Sequence, residues 1–154
     1  MNEKYVFSNL DIQSIEEICH RHQFNSKAIR WSKPVGDIAG FQFMGLQIVR
    51  IEPGDETTQF HFHETSDEFV FVLSGELTLR YGDETHILTE GCLVAFPANG
   101  LPHMMKNNSD SDAVYMMGGS RAKFDICNYP SIGLRMYNID GIKEFAKVEH
   151  IEKV

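Results

Sequence analysis

From residue 41 onward, the chain alternates short runs of apolar and β-branched residues with glycine, proline and polar turn residues. Such runs at short intervals predict β-strands joined by tight turns. Because no segment with the helical period interrupts them, they favour an antiparallel all-β sandwich or barrel over alternating strands and helices. The predicted strands are residues 48–51, 68–73, 76–81, 94–96, 113–117 and, with a weaker pattern, 134–139.

The two ends of the chain differ from this central part. Apolar residues fall on one helical face between Asp11 and His22 and predict an amphipathic helix; they are Ile12, Ile15, Ile18 and Cys19. Residues 31–40, with Pro34 and two glycines, predict a loop or irregular arm. We therefore expect an N-terminal helix and arm at 1–40, a β-domain at 41–140, and a polar tail with at most a short helix at 141–154.

Three histidines and one glutamate are the candidate chemistry of the chain. Successive side chains of a strand alternate between its faces, so the pair His61 and His63 places both imidazoles on one face. Three imidazoles and a carboxylate are typical ligands of a divalent first-row metal, and they leave coordination positions for water or substrate. The sequence therefore predicts a metal site with His61, His63, Glu68 and His103 as ligands.

The residues around these ligands form two blocks separated by fifteen residues. The first block is Gly54, His61, His63, Glu68 and Gly75, and the second is Gly91, Pro97, Gly100, His103 and Asn107. In residue types and order, over about residues 41–120, the blocks resemble the two motifs of the cupin superfamily. Two loop positions depart from the family: one extra residue precedes His61, and the glycine before His103 stands one position late.

The resemblance implies an all-β fold, a double-stranded β-helix (jelly-roll) barrel with a short N-terminal helix and arm. The four ligand residues then point inward onto one divalent transition metal per chain, and this ligand set does not distinguish Fe, Mn, Ni, Co, Cu and Zn. Strand alternation adds residues that share a face with the ligands and are expected to line the pocket: Gln59, Val70, Val72, Met105 and Asn107.

The opposite face of the strand at 68–73 carries Phe69, Phe71 and Leu73. An apolar outer face of this kind needs a cover. Either the N-terminal arm around Trp31 packs over it, or a second subunit does. Small cupins are often dimers built in this way, so we expect a homodimer.

Composition disfavours several classes of partner. The chain has 154 residues, enough for one domain with a sizeable core, and its net charge of −8 disfavours binding to nucleic acid or to an anionic membrane. Its longest apolar runs have five residues, far fewer than a membrane span needs. The first residues lack the pattern of a secretory signal, so we expect a cytoplasmic protein. Cys19, Cys92 and Cys127 form no Cys-x-x-Cys pair and are expected to be core thiols rather than ligands.

The first functional hypothesis is a metal-dependent enzyme that acts on a small organic molecule. A dioxygenase-type oxidoreductase is the first choice, ahead of an isomerase, a decarboxylase or a lyase, although a fold alone does not select a reaction. No general acid or base is identified beyond the ligands. The alternative is a non-catalytic protein that binds or senses a small molecule through its metal.

Other polar residues are given structural roles first. Arg50 and Arg80 are expected in surface ion pairs, with binding of a substrate anion as the alternative. Tyr115 and Tyr137 are expected in the core, with proton donation as the alternative if they face the metal. The remaining histidines are expected to be exposed and without function: His20, His22, His86 and His150.

Overall fold

The computed structural model describes residues 5–152, most of which lie in β-strands. Two short helices are present, α1 (Asn9–Ser14) and α2 (Val35–Ile38), and single 3-10 turns cover Pro130–Ile132 and Val148–His150. The strands are β1 (Ile18–His22), β2 (Asn25–Lys33), β3 (Met44–Ile51), β4 (Phe62–His63), β5 (Glu68–Ser74), β6 (Glu76–Tyr81), β7 (Glu84–Thr89), β8 (Leu93–Phe96), β9 (His103–Lys106), β10 (Ala113–Ser120), β11 (Phe124–Tyr129), β12 (Leu134–Ile139) and β13 (Ile142–Lys147).

These strands hydrogen-bond in three antiparallel sheets. The largest has the order β1-β2-β3-β10-β5-β8, the second β13-β12-β11-β4, and the third β7-β6-β9. Isolated bridges join strands of different sheets, including His61 to His103. The prediction of a mostly β chain is confirmed, in a sandwich-like arrangement. Closure into one jelly-roll barrel stays a prediction.

The hydrophobic core follows from strand alternation. On β5, Val70 and Val72 are buried, whereas Phe69 and Phe71 on the opposite face are only half-buried. Each fully buried aliphatic or aromatic side chain contributes about 1.5–3 kcal/mol to stability. The core continues on β3, β6 and β10 with Val49, Ile51, Leu77, Leu79, Ala113 and Tyr115.

All six strands predicted from the sequence are present. β6 and β12 have the predicted bounds, and β3, β5, β8 and β10 extend beyond theirs. β10 runs on through Gly118 and Gly119 because it is paired on both sides, with β3 and with β5. Gly118 suits this position because a Cβ there would collide with the ring of Phe69.

The prediction of a helix from Asp11 to His22 is wrong beyond residue 14. α1 is capped by Ser8 and Asp11, which bond to each other's backbone N–H, but it buries no residue. Residues Ile18–His22 instead form β1 and pair with β2. An isolated helix of about 12 residues is only marginally stable without packing of one face, whereas pairing with β2 gives this segment backbone partners within a sheet.

The segments predicted as arm and tail also take part in the sheets. Residues 31–33 complete β2, and only the stretch after Pro34 is a short helix and loop. At the other end, Asp140 and Gly141 both have positive φ and turn β12 into β13. An Asp-Gly pair between two strands favours a hairpin turn, so the prediction of a polar tail is wrong for residues 142–147. Residues 153 and 154 of that tail lie outside the described residues.

The outer face of β5 is not covered by Trp31. Trp31 lies in β2 of the same sheet, separated from β5 by β3 and β10. There the guanidinium of Arg50 lies 5.4 Å from the ring of Trp31. Leu73 remains 37% exposed. Cover by the rest of the arm and cover by a second subunit both stay predictions, as does the homodimer.

No helix within residues 5–152 is long and apolar enough to cross a membrane. The cytoplasmic location was predicted partly from residues 1–4, which lie outside the described residues, and it stays a prediction. All three cysteines are free thiols, but only Cys127 is buried, and Cys19 is exposed. The expectation of three core thiols is therefore wrong for Cys19.

We expect Gly75→Ala to destabilise the fold more than Gly91→Ala. Both glycines have positive φ, 77° and 84°, where an L residue costs about 1–2 kcal/mol. At Gly75 a Cβ would also lie 2.7 Å from the carbonyl oxygen of Asp112, whereas nothing lies within 4 Å at Gly91. The added overlap brings the loss at Gly75 to about 3 kcal/mol. Urea unfolding of both variants measures this, and equal losses would contradict it.

Candidate metal centre

The four predicted ligand residues come from three different sheets. His61 and His103 face each other across a bridge in which each backbone N–H donates to the other residue's carbonyl, at 3.2 and 2.8 Å. His63 lies in β4, which pairs with β11 through Cys127. Glu68 is the first residue of β5 in the largest sheet. Backbone pairing therefore fixes the positions of all four side chains.

The imidazole nitrogens converge on one carboxylate oxygen. The Nε2 atoms of His103, His63 and His61 lie 3.5, 3.7 and 3.8 Å from Oε2 of Glu68. Ligand atoms that are each about 2.1 Å from one ion, at tetrahedral angles, lie about 3.4 Å apart. The ligand atoms of His61, Glu68 and His103 all lie within 4.8 Å of one another and fit one divalent ion. Nε2 of His63 lies beside them, 3.7 Å from the same carboxylate oxygen, but groups with His61 and Cys127 instead.

Two of the imidazoles are oriented by backbone carbonyls. Nδ1 of His61 lies 2.9 Å from the carbonyl oxygen of Gln59, and Nδ1 of His103 lies 3.3 Å from that of Leu101. Because a carbonyl only accepts, each Nδ1 carries the proton and the Nε2 lone pair is left for a metal. The ring of His103 also stacks on Phe96, with centroids 3.6 Å apart and planes at 7°.

The third imidazole is oriented by a carboxylate. Nδ1 of His63 bonds to Asp125, which is 4% exposed and also accepts from the backbone N–H and hydroxyl of Thr65 at 3.0 and 2.9 Å. Burial alone would favour the neutral form of both groups, but the hydrogen bond between them outweighs burial. With this bond as the largest favourable contact, the pKa of His63 is raised to about 11 and the pKa of Asp125 is lowered to about 2. Asp125 lies 62 residues from His63, and nothing in its own surroundings in the sequence identifies it.

The charges at the centre suit a cation. Burial favours the neutral form of Glu68, but the imidazoles of His103 and His61 outweigh it and hold its pKa well below the usual range. Burial is also the main cause that lowers the pKa of His61. Glu68 is therefore ionised and His61 neutral, which are the forms that bind metal, whereas His63 binds a metal only after it loses its Nε2 proton.

Cys127 is a fifth potential ligand that was expected to be a core thiol. It is 1% exposed, and its Sγ lies with ligand atoms of His61 and His63 in a group whose members are within 4.8 Å of one another. Its pairing with His63 across β4 and β11 puts it there. Thiolate is a soft ligand that favours zinc or copper over manganese.

The four ligand residues open onto a cavity of about 290 Å³. Of the residues predicted to line it, Val70 and Met105 do so. Val72 lies deeper in the core, and the side chain of Asn107 bonds to the carbonyl oxygens of Ile51 and Ser111 at 3.0 and 2.8 Å. The structure places neither on the cavity, because alternation fixes a residue's face but not its depth along the strand. Gln59 also lies off the cavity: its side chain bonds to Ser131 at 2.7 Å, and it acts through its backbone carbonyl.

Several cavity residues were not predicted or were given other roles. His22 from β1, Arg30 from β2 and Lys143 from β13 line the cavity, so the expectation of an exposed His22 without a place in the site is wrong. Tyr115 lines it as well, 1% exposed, and its hydroxyl has no hydrogen-bond partner within residues 5–152. A buried hydroxyl left unpaired costs about 1–3 kcal/mol.

The two arginines considered from the sequence lie elsewhere. Arg50 forms ion pairs with Glu17, Glu52 and Asp112 at 2.9, 3.0 and 3.0 Å. Arg80 is exposed, and its guanidinium lies 3.8 Å from the ring centroid of Phe60.

Comparison with known proteins agrees with the fold. Residues 47–118 match the family model of the cupin domain. The chain is a cupin-domain protein. All four candidate ligands of this cupin lie within the matched segment, whereas His22, Arg30 and Lys143 lie outside it.

Two curated relatives of this cupin come from Streptomyces. The tetracenomycin polyketide synthase protein TcmJ of Streptomyces glaucescens is 27% identical over 95 residues, which are 61% of this chain and 59% of that protein. The polyketide synthase CurC of Streptomyces cyaneus is 35% identical over 79 residues, which are 51% and 47%. The chain therefore spans about half the length of the curated relatives it matches.

Solved structures resemble this cupin over almost its whole length. A candidate sugar phosphate isomerase from Acidithiobacillus ferrooxidans superimposes with a TM-score of 0.94 at 29% identity, covering 97% of this chain and 96% of that one. A sugar phosphate isomerase from Silicibacter pomeroyi gives 0.82 at 24% identity with the same coverage, a likeness of fold. The shared structure therefore extends well beyond residues 47–118.

We expect protein purified without chelator to hold about one divalent ion per chain, measured by elemental analysis. His61→Ala and His103→Ala should lose it, because each removes a nitrogen ligand. His86→Ala is the matched control, since His86 is exposed and its Nε2 contacts only Glu84, at 3.0 Å. Equal metal content in all four proteins would refute the site.

We expect Asp125→Asn to weaken metal affinity about 10- to 100-fold, because it removes the carboxylate that orients His63. A competition titration with a chelating dye measures the affinity. Thr65→Val is the control, since it removes the hydroxyl bonds to the same carboxylate and to the carbonyl oxygen of Phe124 but keeps the backbone bond to Asp125. If both variants weakened metal binding equally, Asp125 would have no specific role in orienting His63.

Proposed function

We propose that this cupin is a metal-dependent enzyme that isomerises a small organic molecule. The observation that carries the proposal is the convergence of three Nε2 atoms and Oε2 of Glu68 at a cavity of about 290 Å³. A cavity of this size suits a small metabolite rather than a polymer. A divalent ion bound there would polarise a substrate oxygen.

The choice of isomerisation is supported by likeness and by the residues beside the centre. The candidate sugar phosphate isomerase from Acidithiobacillus ferrooxidans matches nearly the full chain at 29% identity. Isomerisation of a hydroxycarbonyl compound moves hydrogens within one molecule and needs no oxidant. The dioxygenase reaction expected from the sequence stays a prediction, and it is the competing outcome of the first test.

Tyr115 would hold the substrate oxygen. Burial is the main cause that raises its pKa, to about 12, so the phenol keeps its proton at neutral pH. Its hydroxyl has no partner within the described part of the chain, and a small shift of the side chain toward the cavity that it lines would let it donate to a ligand oxygen. A donor aimed at a developing negative charge stabilises the transition state more than the ground state.

The first experiment loads the protein with iron, manganese, nickel, cobalt or zinc and supplies a panel of aldose and ketose phosphates in heavy water. We expect interconversion of one aldose and ketose pair, seen by proton NMR, with no oxygen uptake. Oxygen consumption matched to product would favour the dioxygenase. Inactivity with every metal, combined with tight binding of one compound, would favour the non-catalytic binding protein.

We expect Tyr115→Phe to lower kcat about 100-fold or more, as loss of a single preorganised donor does. The free energy of unfolding should stay level or rise, because the lost hydroxyl bonds to no described residue. Tyr137→Phe is the control: Tyr137 is half-buried on β12 and does not line the cavity. Full activity in Tyr115→Phe would exclude the hydroxyl from the reaction.

A further inference from the structure

One side of the cavity is built by residues that flank the cupin motif. His22 lies at the end of β1, Arg30 in β2, and Lys143 in β13. The N-terminal and C-terminal strands meet there through Phe24 and Phe145, whose ring centroids are 5.1 Å apart. This packing brings two cations and an imidazole, from strands far apart in the chain, to one wall.

Neither cation on this wall has an acidic partner. Within residues 5–152, no carboxylate lies at ion-pair distance from Arg30 or Lys143. Most described lysines and arginines also lack such a partner, so it is their place on the cavity that singles out Arg30 and Lys143. Among residues 5–152, Glu68 is the only carboxylate that lines the cavity, and it faces the three imidazoles.

Arg30 is held in place but left with donors to spare. Its Nη1 donates to the carbonyl oxygen of Thr57 at 3.1 Å, which fixes the guanidinium at the cavity wall. Its Nε is buried and has no partner among the described residues. A guanidinium presents its donors in a planar fork that fits the oxygens of a phosphate or a carboxylate.

His22 adds a neutral donor. The backbone N–H of Phe24 donates to its Nδ1 at 3.2 Å, so Nδ1 is an acceptor and the proton of the neutral ring is on Nε2. The ring packs against Tyr129 with centroids 5.7 Å apart. Burial and the positive charges of its neighbours, Arg30 and Lys143 among them, lower the pKa of His22 and keep it neutral at pH 7.

We propose that Arg30, Lys143 and His22 form an anion subsite that binds the phosphate group of a small-molecule substrate. Phosphate is favoured over carboxylate because it offers three acceptor oxygens to donors from three strands, and a charge near −2 to two cations. The placement of the rest of that molecule at the candidate metal centre rests on the proposed function. The phosphate site itself does not.

The experiment is isothermal titration of inorganic phosphate into chelator-treated protein, so that no bound metal can hold the anion. We expect saturable binding that Arg30→Gln and Lys143→Gln each weaken about tenfold or more, and that Arg30→Lys weakens less. Glucose 6-phosphate should bind at the same site and compete with phosphate, whereas glucose should not. Lys143 is exposed, so Lys143→Gln tests the subsite even if Arg30→Gln fails to fold.

Two matched controls remove the same charge nearby. Arg21 on β1 and Lys147 on β13 are exposed and do not line the cavity. Arg21→Gln and Lys147→Gln should leave phosphate binding unchanged. Equal losses in the controls and in the subsite variants, or tighter binding of succinate than of phosphate, would overturn the subsite.

These phosphate titrations, combined with the elemental analysis of metal content, separate this subsite from the proposed function. If the protein binds phosphate through Arg30 but takes up no metal, the proposed function fails and the subsite stands. If it holds one metal ion per chain and the substitutions of Arg30 and Lys143 leave phosphate affinity unchanged, the subsite fails and the metal centre stands.

Discussion

The arrangement of the cavity depends on keeping three imidazole Nε2 atoms aimed at one carboxylate oxygen. An imidazole can rotate or exchange tautomers, so convergence requires that each Nδ1 be fixed by a hydrogen-bond acceptor. The backbone carbonyls of Gln59 and Leu101 do this for two rings, and the carboxylate of Asp125 for the third. Gln59 lies in the loop before β4, Leu101 just before β9, and Asp125 within β11. Because these acceptors come from different parts of the fold, the centre is rigid only while all the sheets are assembled.

Electrostatics links the centre to the fold. An ionised carboxylate that is largely buried, as Glu68 is, would destabilise the protein unless nearby groups compensated it. The surrounding imidazoles do so, and the bond to Asp125 keeps His63 protonated. A divalent cation bound by Nε2 of His63 would replace the proton on that nitrogen with a larger charge, while the Nδ1 proton would stay with Asp125. The groups that would hold a cation therefore also stabilise the fold.

Strand alternation predicted that His61 and His63 share one face of their segment and which neighbours share a face with Glu68. The turn residues predicted where the central strands end. Alternation could not predict how far along its strand a residue lies from the cavity. Val72 and Asn107 therefore share a face with the ligands but lie off the cavity. Nor could it reveal partners distant in the chain: Asp125 and Cys127 reach the centre only because β11 pairs with β4. The hairpin at Asp140 and Gly141 could be predicted from its turn residues. β1 could not be predicted, because the spacing of its apolar residues also fits a helix.

The packing of Phe24 on Phe145 has a consequence for how relatives of this protein are interpreted. It draws both ends of the chain over a cavity whose metal-binding residues belong to the central segment 47–118. The candidate metal ligands and the proposed anion subsite are therefore encoded in separate stretches of sequence, although β11 in the flanking part also supplies Asp125 to the centre. A likeness confined to the central segment carries information about the four candidate ligands, whereas Arg30 and Lys143 can differ between relatives without changing those ligands.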